Sequence, residues 1–283
     1  MKKTFLALAM MLGAATYGQQ ANSLLWKITG KDLKEPSYLF GTMHIMCDAT
    51  LDPATLKALD ATKQVYLEMD MDDPNLQAEL MGGIMMKDGK TMSSMMSEDD
   101  FKLLDKLMTE KMGTSAAMFN SVKPIMLSTM MIPSLIECPP QSIEGEIVKV
   151  AGLQKEEVLG LETIQDQLAI FDAVPYQTQV DELMRSVRDG FAADKKEMLK
   201  MIEVYKSADL NAMLKMMDES PNKLSSGFQD VLLTGRNKKW IPKIEEIAKA
   251  TPTFFGVGAA HLGGENGVIA LLKKKGYKVE PVK

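Results

Sequence analysis

The chain has 283 residues, 46% of them hydrophobic and 25% charged, with a formal net charge of −5. That balance excludes the disordered and fibrous classes, and the acid excess removes the electrostatic reason to hold nucleic acid. The length allows one large domain or two small ones, either able to bury a sizeable core.

The first eighteen residues, MKKTFLALAMMLGAATYG, carry Lys2 and Lys3, then an apolar stretch from Phe5 to Ala15, then small residues. This is the order of a secretory signal, and the stretch is shorter than the roughly 20 residues a membrane-spanning helix needs. Thr16 and Gly18 suit the −3 and −1 positions, so cleavage is expected before Gln19 and the product is expected in the periplasm or outside the cell. No cysteine follows the stretch and no later run reaches spanning length, so no stable membrane anchor is expected. Loss of Lys2 and Lys3 leaves 31 basic residues against 38 acidic, a net charge of −7. The two cysteines, Cys47 and Cys138, read in an oxidising compartment as a disulfide or as two buried thiols. A bridge would tie the segment after His44 to the middle of the chain.

LLWKIT (24–29) reads as a strand, followed by a turn over 30–36. SYLFGTMH (37–44) reads as a second strand of the fully buried kind. Asp52 followed by Pro53 is a helix start, predicting a helix through ATLKALDATK. QVYLEMD (64–70) is a third strand, and strand–helix–strand suggests a parallel pair. From residue 74 to about 140 the apolar positions recur at helical spacing and methionine is dense, which predicts an inserted helical segment. Residues 145–163 give a helix, a turn and a strand ending near Glu162; 165–216 and 240–250 read as helices. TFFGVGAAH, GENGVIALLKKKG and YKVEPV close the chain as strand, helix with a glycine stop, and strand. The expected fold is therefore α/β, a mixed sheet flanked by helices in a single domain over 19–283. Its two strand–GxxH–helix–strand units, one from each end, pair in one sheet.

The chain's two histidines, His44 and His261, each follow an apolar strand-like run and each has a glycine three positions earlier, Gly41 and Gly258. The end of a buried strand is where open α/β sheets bind ligands, and glycine lets the backbone turn sharply and approach a ligand. Two core histidines with satisfied hydrogen bonds are the alternative. Two imidazoles alone make a poor metal site, so carboxylates must join them; Glu68, Asp70, Glu144 and Glu162 are the candidates. Glu68 and Glu162 each end an apolar strand, where an unpaired charge is costly. Imidazole with carboxylate suits zinc, manganese or iron-type ions without choosing among them. Arg236 could clamp a carboxylate or a developing oxyanion, or form a surface ion pair.

GVGAAHLGG lacks the third glycine of a dinucleotide fingerprint, and no GxSxG exists for a serine nucleophile. Met81, Met85, Met86, Met92, Met95 and Met96 sit at helical spacings, as core filler or an adaptable apolar groove; a soft copper(I) site is the sharper alternative.

FGTMH, VYLEMD, GLETIQDQ, GRNKKW and FFGVGAAHLGGENGVIALLKKKGYKVEPV, in that order from Leu24 to Val282, resemble the TraB/PrgY/GumN family, which includes the Tiki proteases. The resemblance implies a mixed sheet flanked by helices, akin to erythromycin-esterase-like and ChaN-like proteins. It makes Gly41 with His44 and Gly258 with His261 the paired motifs. It matches Glu68 and Glu162 to recurrent acidic positions and Arg236 with Asn237 to an RN pair, and it favours the Cys47–Cys138 disulfide. By the same resemblance the expected activity is metal-dependent hydrolysis of a peptide or protein, with manganese, cobalt or zinc as cofactor. His44, His261 and Glu162 are the expected ligands, and Glu68, Glu162 and Arg236 the expected catalytic groups. The alternative is a non-catalytic peptide-, haem- or metal-binding protein on the same fold.

Overall fold

The computed structural model describes residues 22–282; the expected signal segment and its cleavage point lie outside them. Six strands form one sheet: β1 (Leu25–Thr29), β2 (Ser37–Thr42), β3 (Gln64–Leu67), β4 (Val158–Gly160), β5 (Thr253–Gly258) and β6 (Lys278–Pro281). Their order is β4-β3-β5-β2-β1-β6. β2, β3, β4 and β5 are mutually parallel, whereas β1 runs antiparallel to both of its neighbours, β2 and β6. The connections between the strands are largely helical, and most of the helices lie between β3 and β5. Helices α1 (Pro53–Asp60), α2 (Leu76–Gly83), α3 (Glu98–Met112), α4 (Pro124–Met131), α5 (Ile143–Gln154) and α6 (Ile164–Asp172) come first. They are followed by α7 (Tyr176–Arg188), α8 (Ala192–Lys206), α9 (Leu210–Asp218), α10 (Lys223–Gly227), α11 (Gly235–Ala250) and α12 (Val268–Lys274). None of the described helices is long and apolar enough to cross a membrane.

The strand order corrects one reading of the sequence. β2 and β3 are parallel, but they are not neighbours: β5, from the far end of the chain, lies between them. TFFGV in β5 is buried at every position, and a strand buried on both faces belongs in the middle of a sheet, with a partner on each edge. The closing unit β5–α12–β6 likewise skips β2 and β1 before β6 pairs with β1. Both terminal units therefore cross over one another's strands, and neither could form its sheet alone.

Local chemistry fixes where the helices begin. The Asp52 side chain accepts from the amides of Ala54 and Thr55, with Pro53 at the first helical position of α1. Ser142 caps α5 through the Gly145 amide, and Thr163 with Asp166 forms a reciprocal capping box at the start of α6, satisfying amides that no helical carbonyl reaches. α11 starts earlier than the sequence suggests, at Gly235, because a π-helical turn over Asp230–Thr234 runs straight into it. Arg236 and Asn237 thereby sit in the first turn of a helix.

Two hydrophobic clusters result. One joins the sheet to α1, α5, α11 and α12 through residues such as Leu39, Leu59, Ile147, Trp240, Phe255 and Leu272. The other lies among the helices, chiefly α3, α4 and α7, around Met92, Leu104, Met108, Leu127 and Leu183. Of the six spaced methionines, Met86 and Met92 are buried in this second cluster and Met95 and Met96 pack on it, while Met81 and Met85 are exposed. Cys47 and Cys138 are bonded, with Cα atoms 5.6 Å apart across 91 positions of sequence. Beside them Met46 and Gln141 exchange both backbone hydrogen bonds at 2.9 Å. The loop after His44 is thus pinned to the end of the Met-rich segment.

Closing so long a loop removes conformations mainly from the unfolded chain. Cys47→Ser with Cys138→Ser is expected to lower unfolding free energy by about 4.5 kcal/mol, read as a lower urea midpoint with a steeper slope as the unbridged unfolded chain exposes more surface; an unchanged midpoint would refute it.

Candidate functional site

The parallel pairing of β2 with β5 sets Gly41 against Val257 and Thr42 against Gly258. The two GxxH turns therefore leave the sheet side by side from the same ends of adjacent strands. Glycine is required at Gly41 because the second turn packs onto it: a Cβ there would meet Leu262 Cδ1 at 2.9 Å and the Cα and Cβ of Ala259 at 3.1 Å. At Gly258 the bare backbone lets its amide reach Glu68 Oε1 at 2.8 Å. Glu68 and Glu162 follow the ends of β3 and β4, and the Glu162 amide donates to the Glu68 carbonyl at 3.0 Å. All four expected side chains thus rise from one edge of the sheet.

His261 is 4% exposed. Asn237 Nδ2 donates to the carbonyls of His261 at 3.3 Å and Asn266 at 2.9 Å, so Oδ1 is the amide atom facing the ring, 2.6 Å from Nδ1. Nδ1 then carries the proton, and Nε2 presents a lone pair, which accepts from Arg236 Nη1 at 3.1 Å. Trp240 packs against the ring at a centroid distance of 4.5 Å. Burial first, then the Arg236 charge, pushes the His261 pKa down to about 4, with Glu68 opposing. This ring is neutral at pH 7.

Arg236 binds both glutamates. Nη2 lies 2.5 Å from Glu68 Oε2, and Nη2 and Nε both donate to Glu162 Oε1. Trp240 Nε1 donates to Glu162 Oε2 at 3.1 Å, and Gln167 bridges the two carboxylates at 3.3 and 3.2 Å. Burial works against ionisation of Glu68, yet the surrounding charges and the Gly258 amide hold its carboxyl below the usual range. Since His261 is neutral above about pH 4, Arg236 is the dominant cation in that balance. Glu68 Oε1 stands 3.6 Å from His261 Nε2.

His44 is the contrasting partner. Its side chain is 70% exposed and its Nδ1 lies 2.6 Å from Glu144 Oε1, whose own side chain is 8% exposed. That contact raises the His44 pKa to about 9, although water screens so exposed a pair. Both imidazoles thus meet through Nδ1 an oxygen from a helix, Asn237 Oδ1 for His261 and Glu144 Oε1 for His44. Glu144 Oε1 and Oε2 and the neighbouring Thr42 Oγ1 are buried without a hydrogen bond of good geometry. Among the four acidic candidates, Asp70 stands apart from the histidines, its carboxyl raised by burial and by Asp72. Sequence reasoning did not assign Glu144 to His44, nor the holding role to Asn237. The only sequence signals were an acid at the start of a capped helix and an amide next to Arg236.

Among the described residues no three His, Cys, Asp or Glu side chains form a ready metal-ligating group. The donor chemistry nonetheless fits a divalent ion: two imidazoles oriented through Nδ1, as metal-bound histidines are, beside a carboxylate held ionised. Both glutamates have both oxygens engaged, Glu162 by Arg236 and Trp240 and Glu68 by the Gly258 amide and Arg236, but only Glu68 also faces His261 Nε2.

The sequence pattern of the TraB/PrgY/gumN family matches residues 24–281. The chain belongs to that family. It is similar to "Metalloprotease TIKI2" of Danio rerio, 22% identical over 92% of this chain and 61% of that protein. It is also similar to "Metalloprotease TIKI1" of Xenopus tropicalis, 24% identical over 92% of this chain and 61% of that protein. The human "Metalloprotease TIKI1" is 23% identical over 92% of this chain and 62% of that protein. The chain spans about three fifths of the length of these relatives. No solved structure matches it, so the likeness to erythromycin-esterase and ChaN-like folds stays an expectation from sequence.

Two outcomes follow. Gly41→Ala is expected to lower stability by about 1–3 kcal/mol through overpacking, measured by denaturant unfolding; no loss would show that the second turn does not rest on Gly41. His261 binds its proton less readily folded than unfolded, about 4 against 6.5, so stability is lost as pH falls from 6.5 toward 4. At pH 4.5 this loss is on the order of 2 kcal/mol, and His261→Gln should flatten that limb of the stability–pH curve.

Proposed function

We propose that this protein is a metal-dependent hydrolase acting on peptide or protein substrates, working where the two GxxH turns meet. The observation that carries the reading is the convergence of His261 Nε2, stripped of its proton by Asn237 orientation and burial, with an ionised Glu68 3.6 Å away. The names of the Tiki relatives support it at low identity.

On this reading His44, His261 and Glu68 would hold a divalent ion, with manganese, cobalt or zinc as the ions to test first. When bound, such an ion acidifies water and polarises a carbonyl. Asn237 fixes the His261 tautomer, and Glu144 orients the His44 ring through Nδ1. Because His44 is held protonated by Glu144, loading would release that proton and strengthen as pH rises. Glu68 rather than Glu162 is the carboxylate assigned to the ion because it faces His261 Nε2, while Glu162 anchors Arg236 and Trp240. Arg236, 12% exposed, lies beside the site as a preorganised positive charge for a developing oxyanion. Trp240 and the buried flank of α11 keep water from its guanidinium.

One observation favours a second reading. Both glutamates are already tied up by Arg236, so the crevice could hold a peptide, a haem or a metal without turnover.

The test is elemental analysis and peptide cleavage on protein incubated with manganese, cobalt or zinc, for wild type, His261→Ala and Glu68→Gln. Stoichiometric metal with cleavage in the wild type, and a loss of at least about 100-fold in both variants, is expected. Metal content and cleavage unchanged in both variants would end the proposal. Metal bound without cleavage of any peptide, or a Soret band on adding haem, would favour the binding protein.

A further inference from the structure

A cleft of about 270 Å³ opens where the two hydrophobic clusters meet. Met43 and Met201 line it from the sheet side, and Leu135, Phe191 and Met198 from the helical side. Met43 is the residue immediately before His44, so the cleft begins one residue from the catalytic loop. The far wall is fastened to that same loop: Leu135 lies three positions before Cys138, which is bonded to Cys47. Ligand sites form preferentially at such seams between packed units. The volume lies just under the roughly 300 Å³ at which small-molecule pockets begin, enough for one large side chain but not for a cofactor.

The wall has a fixed shape. Phe191 adopts φ 65° directly after Gly190 at φ 66°, a left-handed conformation that is costly for a bulky residue and recurs at ligand clamps. Its amide is held by the Ser186 carbonyl at 2.7 Å. The methionines opposite supply unbranched, polarizable side chains that adapt to different apolar shapes.

The charge beside the apolar wall is one-sided. Glu182, Asp194 and Glu197 all face the cleft. Glu182 Oε2 and Asp194 Oδ1 share a single guanidinium, Arg185, at 2.9 and 2.7 Å, and Asp194 Oδ2 is buried without any partner. Two carboxylates on one cation leave a negative charge that a bound group could balance.

We propose that this cleft is the subsite for a large apolar side chain of the peptide substrate, flanked on that peptide by a lysine or arginine that faces Glu182, Asp194 and Glu197. The assignment rests on the peptide-hydrolase reading and adds its substrate preference. Apolar burial supplies most of the affinity, and the carboxylates select the sign of the flanking charge.

Fluorescein-labelled decapeptides carrying Leu–Lys, Ala–Lys or Leu–Glu at their centre separate the outcomes. Binding is read by anisotropy on the full chain bearing His261→Ala, and cleavage by mass spectrometry on the wild type loaded with manganese. The Leu–Lys peptide is expected to bind about tenfold more tightly than Ala–Lys and to be cut beside the leucine. Ser225→Trp, which fills the cleft from α10, should erase the leucine preference. Glu197→Lys, at a half-exposed position, should abolish the Lys-over-Glu preference even if the tryptophan variant fails to fold. Equal binding of leucine and alanine peptides, or a preference that survives both variants, overturns the subsite. Binding with this preference but no cutting keeps the subsite and overturns the hydrolase; cutting without it does the reverse. Neither binding nor cutting overturns both.

Discussion

The pairing of β2 with β5 is the contact on which the rest of the molecule depends. It joins segments more than two hundred positions apart, and in doing so brings the chain's two histidines to the same edge of one sheet. The interlock is steric as well as hydrogen-bonded, because Gly41 of the first motif is the floor on which Ala259 and Leu262 of the second motif rest. A sheet strand can carry only one residue per register position, so the parallel pairing sets both turns in step. With β3 on the other side of β5, Glu68 comes within reach of the Gly258 amide.

Around that edge the sequence places similar groups in opposite electrostatic states. His261 is buried beside Arg236 and held by a neutral amide, so its charged form is disfavoured; His44 is exposed beside a carboxylate, so its charged form is favoured. Environments that push like groups apart are how one site comes to hold distinct chemical roles. Arg236 is the counter-charge that lets two glutamates be buried together, an arrangement that would be costly with either partner removed. Tyr205 adds a further tie, its hydroxyl donating to the Gly41 carbonyl at 2.8 Å, which connects the helical half of the chain to the first motif.

The helical segment between β3 and β5 is more than a spacer. It builds its own cluster from methionine and leucine, drawing α7 and Phe191 from beyond residue 140 into the packing of 74–140. The disulfide then fixes its end against the loop that follows His44. The seam between the two clusters therefore lies beside the edge that carries the histidines, and the flexibility of methionine gives that seam adaptable walls.

Periodicity and composition were enough to determine the strands, most helices, and the exceptional character of the two GxxH turns. Each rests on local chemistry: an all-apolar run at β5, a capped proline start at α1, a glycine three before each histidine. The earlier start of α11 was illegible because a π-helical turn leads into it and its first turn carries Gly235, Arg236 and Asn237, none of which shows an apolar period. Strand order, the partnership of His44 with Glu144, and the grip of Asn237 on His261 were likewise beyond reach. They are contacts between residues distant in sequence, and the free energy that selects them comes from burying β5 on every side, a property of the assembled sheet rather than of any segment read alone.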